Sequence, residues 1–143
     1  MTDVFSKRKR SDIMSRIRSS GSRPEKVLRQ LIREVSGRRL RLNLASLPGS
    51  PDVVVYSLRL AIFMHGCYWH SCPLHGRRPK SNVEFWTEKL EKNVRRDRRA
   101  CSALRRAGWT VWILWEHELK DAALPRTRRN LVRRFRRLAL ASL

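Results

Sequence analysis

The order of apolar patterns along this chain predicts an α/β fold, a sheet covered by helices in the order helix, strand, strand, strand, helix, strand, helix. Three observations carry that expectation. Two capping-box patterns, Ser22-Arg-Pro-Glu25 and Ser81-Asn-Val-Glu84, each open a segment with helical periodicity. Two apolar runs, VVVY after Asp52 and WTVWILW over Trp109–Trp115, read as buried strands. The long helical segment before the second run is enough for a crossover, and so for parallel pairing.

Each element follows from local chemistry. Residues 1–11, MTDVFSKRKRS, are polar and basic and read as a flexible arm. Asp12–Ser19 has Ile13 and Ile17 on one side, a short helix stopped by Gly21. Residues 1–21 are thus set apart from a single domain over 22–143. In the next helix Pro24 sits in the first turn, where its missing N–H costs nothing. Val27, Leu28, Leu31, Ile32 and Val35 follow at helical spacing, and Gly37 is the stop. Leu40, Leu42 and Leu44 alternate with Arg41 and Asn43, a strand with one wet face. After the loop Ser46–Pro51, Asp52 opens the VVVY strand, Ser57 marks a turn, and Leu58–Met64 returns as the partner of a hairpin. Val83, Leu90, Val94, Cys101 and Leu104 form one stripe of a helix running to about Ala107, and Gly108 ends it. Trp109–Trp115 is apolar on both faces and reads as a central strand. Pro125 precedes a last helix that carries Leu131, Phe135 and Leu138 among arginines.

Charge bounds the partners. The 143 residues hold 33 Lys+Arg against 12 Asp+Glu, a formal net charge of +21. A pI near 11.7 points to a polyanion. The rivals are an acidic membrane surface and ribosomal RNA, and nucleic-acid binding is favoured because the chain also reads as a well-folded domain. No apolar run of membrane-spanning length and no signal-peptide core is present, and the expected location is cytoplasmic. The bland alternative is that many arginines merely solvate helix faces. Three cysteines, an odd number, argue against a disulfide framework.

The chemistry concentrates in MHGCYWHSCPLH, Met64–His75, which holds three of the four histidines and two of the three cysteines. Cys67 and Cys72 enclose four residues, His75 follows after two more, and His117 comes 42 positions later at the end of a strand. Two thiolates and two imidazoles make a closed tetrahedral zinc set, structural because no ligand position stays open. The competing reading is two buried cysteines beside unrelated histidines. Cys101, on the core stripe of its helix, is packing. Hairpin pairing puts Asp52 beside Met64–His65, and a carboxylate with strand-end carbonyls can hold Mg²⁺. His65 and His70 could then move protons for a water or a leaving oxygen. Asp52 can equally be a turn-capping carboxylate after Pro51.

Four blocks, SLPGSPDVVV, HGCYWHSCPLHG, PKSNVEFWTEKLEKNVRRDRR and GWTVWILWEHEL, together resemble the very-short-patch-repair (Vsr) DNA mismatch endonucleases, over about residues 9 to 120. The resemblance implies a restriction-endonuclease-like (PD-(D/E)XK-type) αβββαβ core with a structural zinc. It implies a monomeric, Mg²⁺-dependent repair enzyme that nicks duplex DNA 5′ to the thymine of T:G mismatches, the product of 5-methylcytosine deamination. Carried over, Asp52 is the central metal carboxylate and Met64 gives its backbone carbonyl. His65 stands where related nucleases often keep lysine, and His70 is the general acid/base. Glu25 supports the site, besides its capping-box role. Asp97 orients a site histidine or, on the plainer reading, pairs with a neighbouring arginine. Tyr68, Trp69 and Trp86 wedge into the base stack, Met14 enters from the other groove, and Lys89 and Asn93 contact the mismatched bases. Core packing is the alternative for Met14, Trp69 and Trp86.

Departures from the family pattern are Tyr68 in place of phenylalanine, a different distribution of zinc ligands, and a different loop length between His70 and Ser81. Two rival functions remain on sequence alone. One is a non-catalytic, zinc-containing nucleic-acid-binding module; the other is an endonuclease of this fold with another mismatch or a modified base as target.

Overall fold

The computed structural model describes residues 22–76 and 80–142. The basic arm, the Asp12–Ser19 helix and Met14 lie outside the described residues. The elements are α1 (Arg23–Ser36), β1 (Arg41–Leu42), β2 (Val53–Val55), β3 (Leu60–His65), α2 (Val83–Arg106), β4 (Thr110–Trp115) and α3 (Leu124–Ala141).

Helix α1 starts and stops as its end residues dictate. Ser22 Oγ accepts the Glu25 N–H at 3.4 Å, and Pro24 lies in the first turn. Gly37 takes the left-handed conformation (φ 60°) and donates its N–H to Arg33 O, which closes the last turn. The second capping box does not form. Asn82, at φ 45°, is the cap of α2 and its side chain makes no capping bond. Asparagine tolerates this region better than most residues, so the chain turns into α2 through backbone conformation.

The four strands run in the order β1-β2-β3-β4, with β3 and β4 parallel and the other pairs antiparallel. Three expectations need correction. Strand β1 is two residues long because Asn43 (φ 47°) leaves the extended region, although its N–H still reaches Asp52 O at 3.1 Å. The hairpin turn is a 3₁₀ turn over Tyr56–Leu58, closed by Arg59 at φ 47°, so β3 begins at Leu60. The Arg59 guanidinium secures that turn, donating to Ala107 O at 2.9 Å and lying 5.3 Å over the Trp109 ring. Strand β4 is at an edge of the sheet among the described residues, not its centre.

β4 is nonetheless apolar on both sides because both faces of the sheet are covered. Val53, Val55, Leu60, Ile62, Trp112 and Leu114 point to one face and pack with Leu28, Leu31 and Ile32 of α1 and Leu131 and Phe135 of α3. Val54, Ala61 and Phe63 point to the other, against Cys101 and Leu104 of α2, with Trp109. The period-two alternation of the strands thus builds two cores in a three-layer arrangement. No helix among the described residues is long and apolar enough to cross a membrane.

This packing places the site. Gly49 (φ 76°) lets the loop before Asp52 press on α2: a Cβ there would sit 2.7 Å from Ala100 Cβ. The C-terminal ends of β3 and β4 finish side by side, His65 opposite Trp115.

Candidate active site

Asp52 immediately precedes β2, and the antiparallel register brings it to the far end of β3. Its Oδ2 accepts the Met64 N–H at 2.7 Å. Burial raises its pKa from 3.8 to about 6; the Glu25 carboxylate pushes the same way, while the Met64 N–H opposes. The Met64 and Asp52 backbone N–H groups and the nearby His70 offset only part of that cost, so the carboxylate is short of positive charge.

His65, the last residue of β3, is buried beneath His70. The two imidazoles stack with centroids 4.0 Å apart and planes 7° from parallel. Burial first, and the neighbouring His70 second, lower the His65 pKa from 6.5 to about 4, against the pull of Asp97. His65 is therefore neutral at physiological pH. His70 Nδ1 lies 2.6 Å from Asp97 Oδ2, while His65 Nε2 is 4.0 Å from Asp97 Oδ1. An ionised carboxylate can only accept, so His70 Nδ1 carries the hydrogen and Nε2 keeps a lone pair. These three side chains are close enough to suggest a chelate. The stacking argues otherwise: the lone pairs of parallel rings run side by side and do not converge on one ion. The trio is better suited to moving protons.

Asp52, Met64, His70, Asp97, Glu25, Lys89 and Asn93 all line one open cleft of about 650 Å³. The Glu25 carboxylate is 3.4 Å from Arg29 one turn on. Asn93 also braces the loop after β3, donating to Trp69 O at 3.1 Å. Glu116 and Arg96 line the same cleft and were not anticipated from the sequence. Their signals were present. Arg96 is three residues beyond Asn93 and seven beyond Lys89, the same stripe of α2. Glu116 follows the last residue of a parallel strand, the end where open α/β sheets place ligands.

The loop Gly66–Gly76 carries the remaining features. Cys67 Sγ and Cys72 Sγ lie 3.3 and 3.6 Å from His117 Nδ1, and the three ligand atoms fall within 4.8 Å of one another. His117 arrives on the 3₁₀ turn that follows β4. Burial raises the Cys67 thiol pKa, and the Cys72 sulfur beside it acts in the same direction. His75 stands outside this set, its ring centroid 4.5 Å from that of His117. The loop is held by Cys72 N–H to Cys67 O (2.9 Å) and Gly76 N–H to Cys72 O (2.8 Å). A Cβ on Gly76 would lie 2.6 Å from that same carbonyl, so only glycine fits.

Tyr68, Trp69 and Trp86 are partly exposed and belong to neither hydrophobic core. Trp69 packs edge-on with Tyr68 (5.0 Å) and against Trp86 (5.8 Å), which meets Phe85 at 4.9 Å. Phe85, 50% exposed, extends this aromatic ridge and was not singled out from the sequence.

A family model for DNA mismatch endonuclease Vsr matches residues 2–75. The chain is 43% identical over 135 residues to the type II nicking enzyme V.XorIIP of Xanthomonas oryzae pv. oryzae, covering 92% of this chain and 98% of the relative. It is 41% identical over 139 residues to the type II nicking enzyme V.NmeAIP of Neisseria meningitidis, covering 95% and 98%. It is 45% identical over 122 residues to the DNA mismatch endonuclease Vsr of Escherichia coli, covering 84% and 77%.

Proposed function

Because the chain belongs to the Vsr family of DNA mismatch endonucleases and is a DNA-nicking endonuclease, we propose that it nicks duplex DNA 5′ to the thymine of T:G mismatches, using Mg²⁺ at Asp52 and a structural zinc under the aromatic loop. Residues 22–143 act as one endonuclease domain on a restriction-endonuclease-like core, working as a monomer. The observation that carries the reading is the meeting in one cleft of a half-buried carboxylate, a histidine oriented by Asp97, and a loop whose rings stand outside both cores.

The donor sets fit both ions. Two cysteine sulfurs and an imidazole nitrogen are the ligand types zinc selects, with His75 beside His117 as the fourth candidate. Asp52, an oxygen ligand destabilised as an anion by burial, together with the Met64 backbone, suits a hard cation. Bound Mg²⁺ would polarise the phosphate and offset charge that builds up on it.

The chain's own groups supply the rest. His70 Nε2 takes a proton from the attacking water or returns one to the leaving oxygen, and Asp97 holds the ring in the tautomer that permits this. His65, kept neutral by burial, lets His70 become charged without a second cation in face-to-face contact. Lys89 and Asn93, which line the cleft, contact the mismatched bases, and Arg96 beside them neutralises a phosphate. Tyr68, Trp69 and Trp86 enter a base step, which a mismatch makes easier to open. Cys67 and Cys72 of their loop and His117 of the turn after β4 would hold the zinc, which would tie the two segments together. Nicking and binding assays on Asp52→Ala test the catalytic assignment: nicking is lost while duplex affinity stays within about threefold. Persistent Mg²⁺-dependent nicking by that variant would remove Asp52 from the mechanism.

A further inference from the structure

Helix α3 carries seven arginines and no acidic residue in its 18 positions. At about 100° per residue, Arg126, Arg129, Arg133, Arg136 and Arg137 fall within an arc of about 100°, and all five are exposed. Thr127, Leu131 and Phe135, the buried residues of the helix, lie on the opposite side. Among the described residues, the carboxylate ion-paired with an α3 arginine is Glu34, on Arg128, outside this arc. Arg134 is also outside it, anchored 4.3 Å over the Trp112 ring.

We propose that this arginine face of α3 is a second duplex-binding surface, separate from the catalytic cleft, that grips the phosphate backbone without reading sequence. The proposal rests on the endonuclease reading only for its choice of DNA as the polyanion. From Arg126 to Arg137 the face spans about 16 Å, a length over which duplex DNA presents about ten phosphates. Four of its arginine pairs are three or four residues apart, a repulsion of roughly 1–2 kcal/mol in the free helix that arriving phosphates relieve. None of the five lines the catalytic cleft. A membrane-surface helix would need large apolar side chains among its cations, and this face has only Leu140, at its end.

The test is a full-length variant with all five arginines changed to glutamine, whose helix propensity is close to that of arginine. Binding to a perfectly paired duplex is measured by anisotropy without Mg²⁺ across a range of salt. Each lost phosphate contact lowers the slope of log K against log salt by about 0.9, so the slope falls by at least about 2 units. The five-lysine variant retains the wild-type slope within about 1 unit. The single-turnover nicking rate at saturating enzyme stays within about twofold of wild type, since the cleft is untouched. A slope unchanged by the glutamines overturns the proposal. So does loss of binding to phosphatidylserine vesicles with duplex binding intact, which would make this a membrane face. Because the duplex is paired and Mg²⁺ absent, failure here is distinct from failure to nick a mismatch.

Discussion

Asp52→Asn should make the protein more stable as it abolishes nicking. In the folded protein the Asp52 pKa is raised from 3.8 to about 6, chiefly by burial. About two pH units at 1.36 kcal/mol each is a cost of roughly 3 kcal/mol for keeping the carboxylate ionised at neutral pH. Asparagine removes the charge and can still accept the Met64 N–H, but its amide hydrogens need partners, so the net gain is about 1–3 kcal/mol. Between pH 3.8 and about 6 the folded protein binds more of the Asp52 proton than the unfolded chain does. Stability therefore falls as pH rises through that window, and the full cost persists above it.

His65 runs the other way. Its folded pKa is lowered from 6.5 to about 4, so the stability it contributes is complete above 6.5 and is lost as pH falls toward 4. In the wild type these slopes nearly cancel between pH 4 and 6. Asp52→Asn uncovers the His65 slope: the variant loses about 3 kcal/mol on acidification from pH 6.5 to 4. Urea denaturation in a Mg²⁺ chelator that leaves zinc in place, repeated across this range, reads both effects. Added Mg²⁺ should stabilise the wild type by about 1.4 kcal/mol at ten times its Kd, and leave the variant unmoved. A variant less stable than wild type at pH 7.5, or one with the wild-type pH profile, would refute the reasoning.

Three more outcomes follow from the site. Asp97→Asn can turn its amide toward His70 Nδ1 and favour the other tautomer, so single-turnover nicking should drop by about 10²–10⁴ with little change in binding. Elemental analysis should find stoichiometric zinc in native protein; Cys72→Ala should lose it along with several degrees of Tm, and a zinc-free protein of unchanged Tm would contradict the cluster's role. Trp69→Ala should reduce nicking at T:G by about 10-fold or more while affinity for paired duplex holds within about threefold, since a stacking ring contributes about 1–3 kcal/mol per base.

The helices and the β3–β4 crossover were legible because they rest on periodicity, glycine stops and one-dimensional distance. Strand ends were less so. Asn43 and Arg59 take positive φ in runs whose apolar alternation continues past them, and alternation does not report a backbone turn. β4 was read as central because both its faces are apolar, yet helices on both faces give an edge strand the same composition. In the site, the meeting of Asp52 with Met64 follows from hairpin pairing alone. Asp97 came forward as a partner of a site histidine only through the family resemblance, because its link to His70 spans 27 residues and depends on how α2 lies across the sheet, which no local pattern encodes. For Glu116 the strand-end position was a signal, but which strand end borders the cleft is set by the parallel register of β3 and β4.

The most direct measurement is strand-resolved nicking of duplexes that carry each single mismatch in turn, beside a fully paired control, with Mg²⁺ present. Cutting on the thymine strand of T:G, 5′ to the thymine, at a rate at least about 100-fold above the paired control is the predicted result. Equal cutting of paired and mismatched duplex would contradict the account.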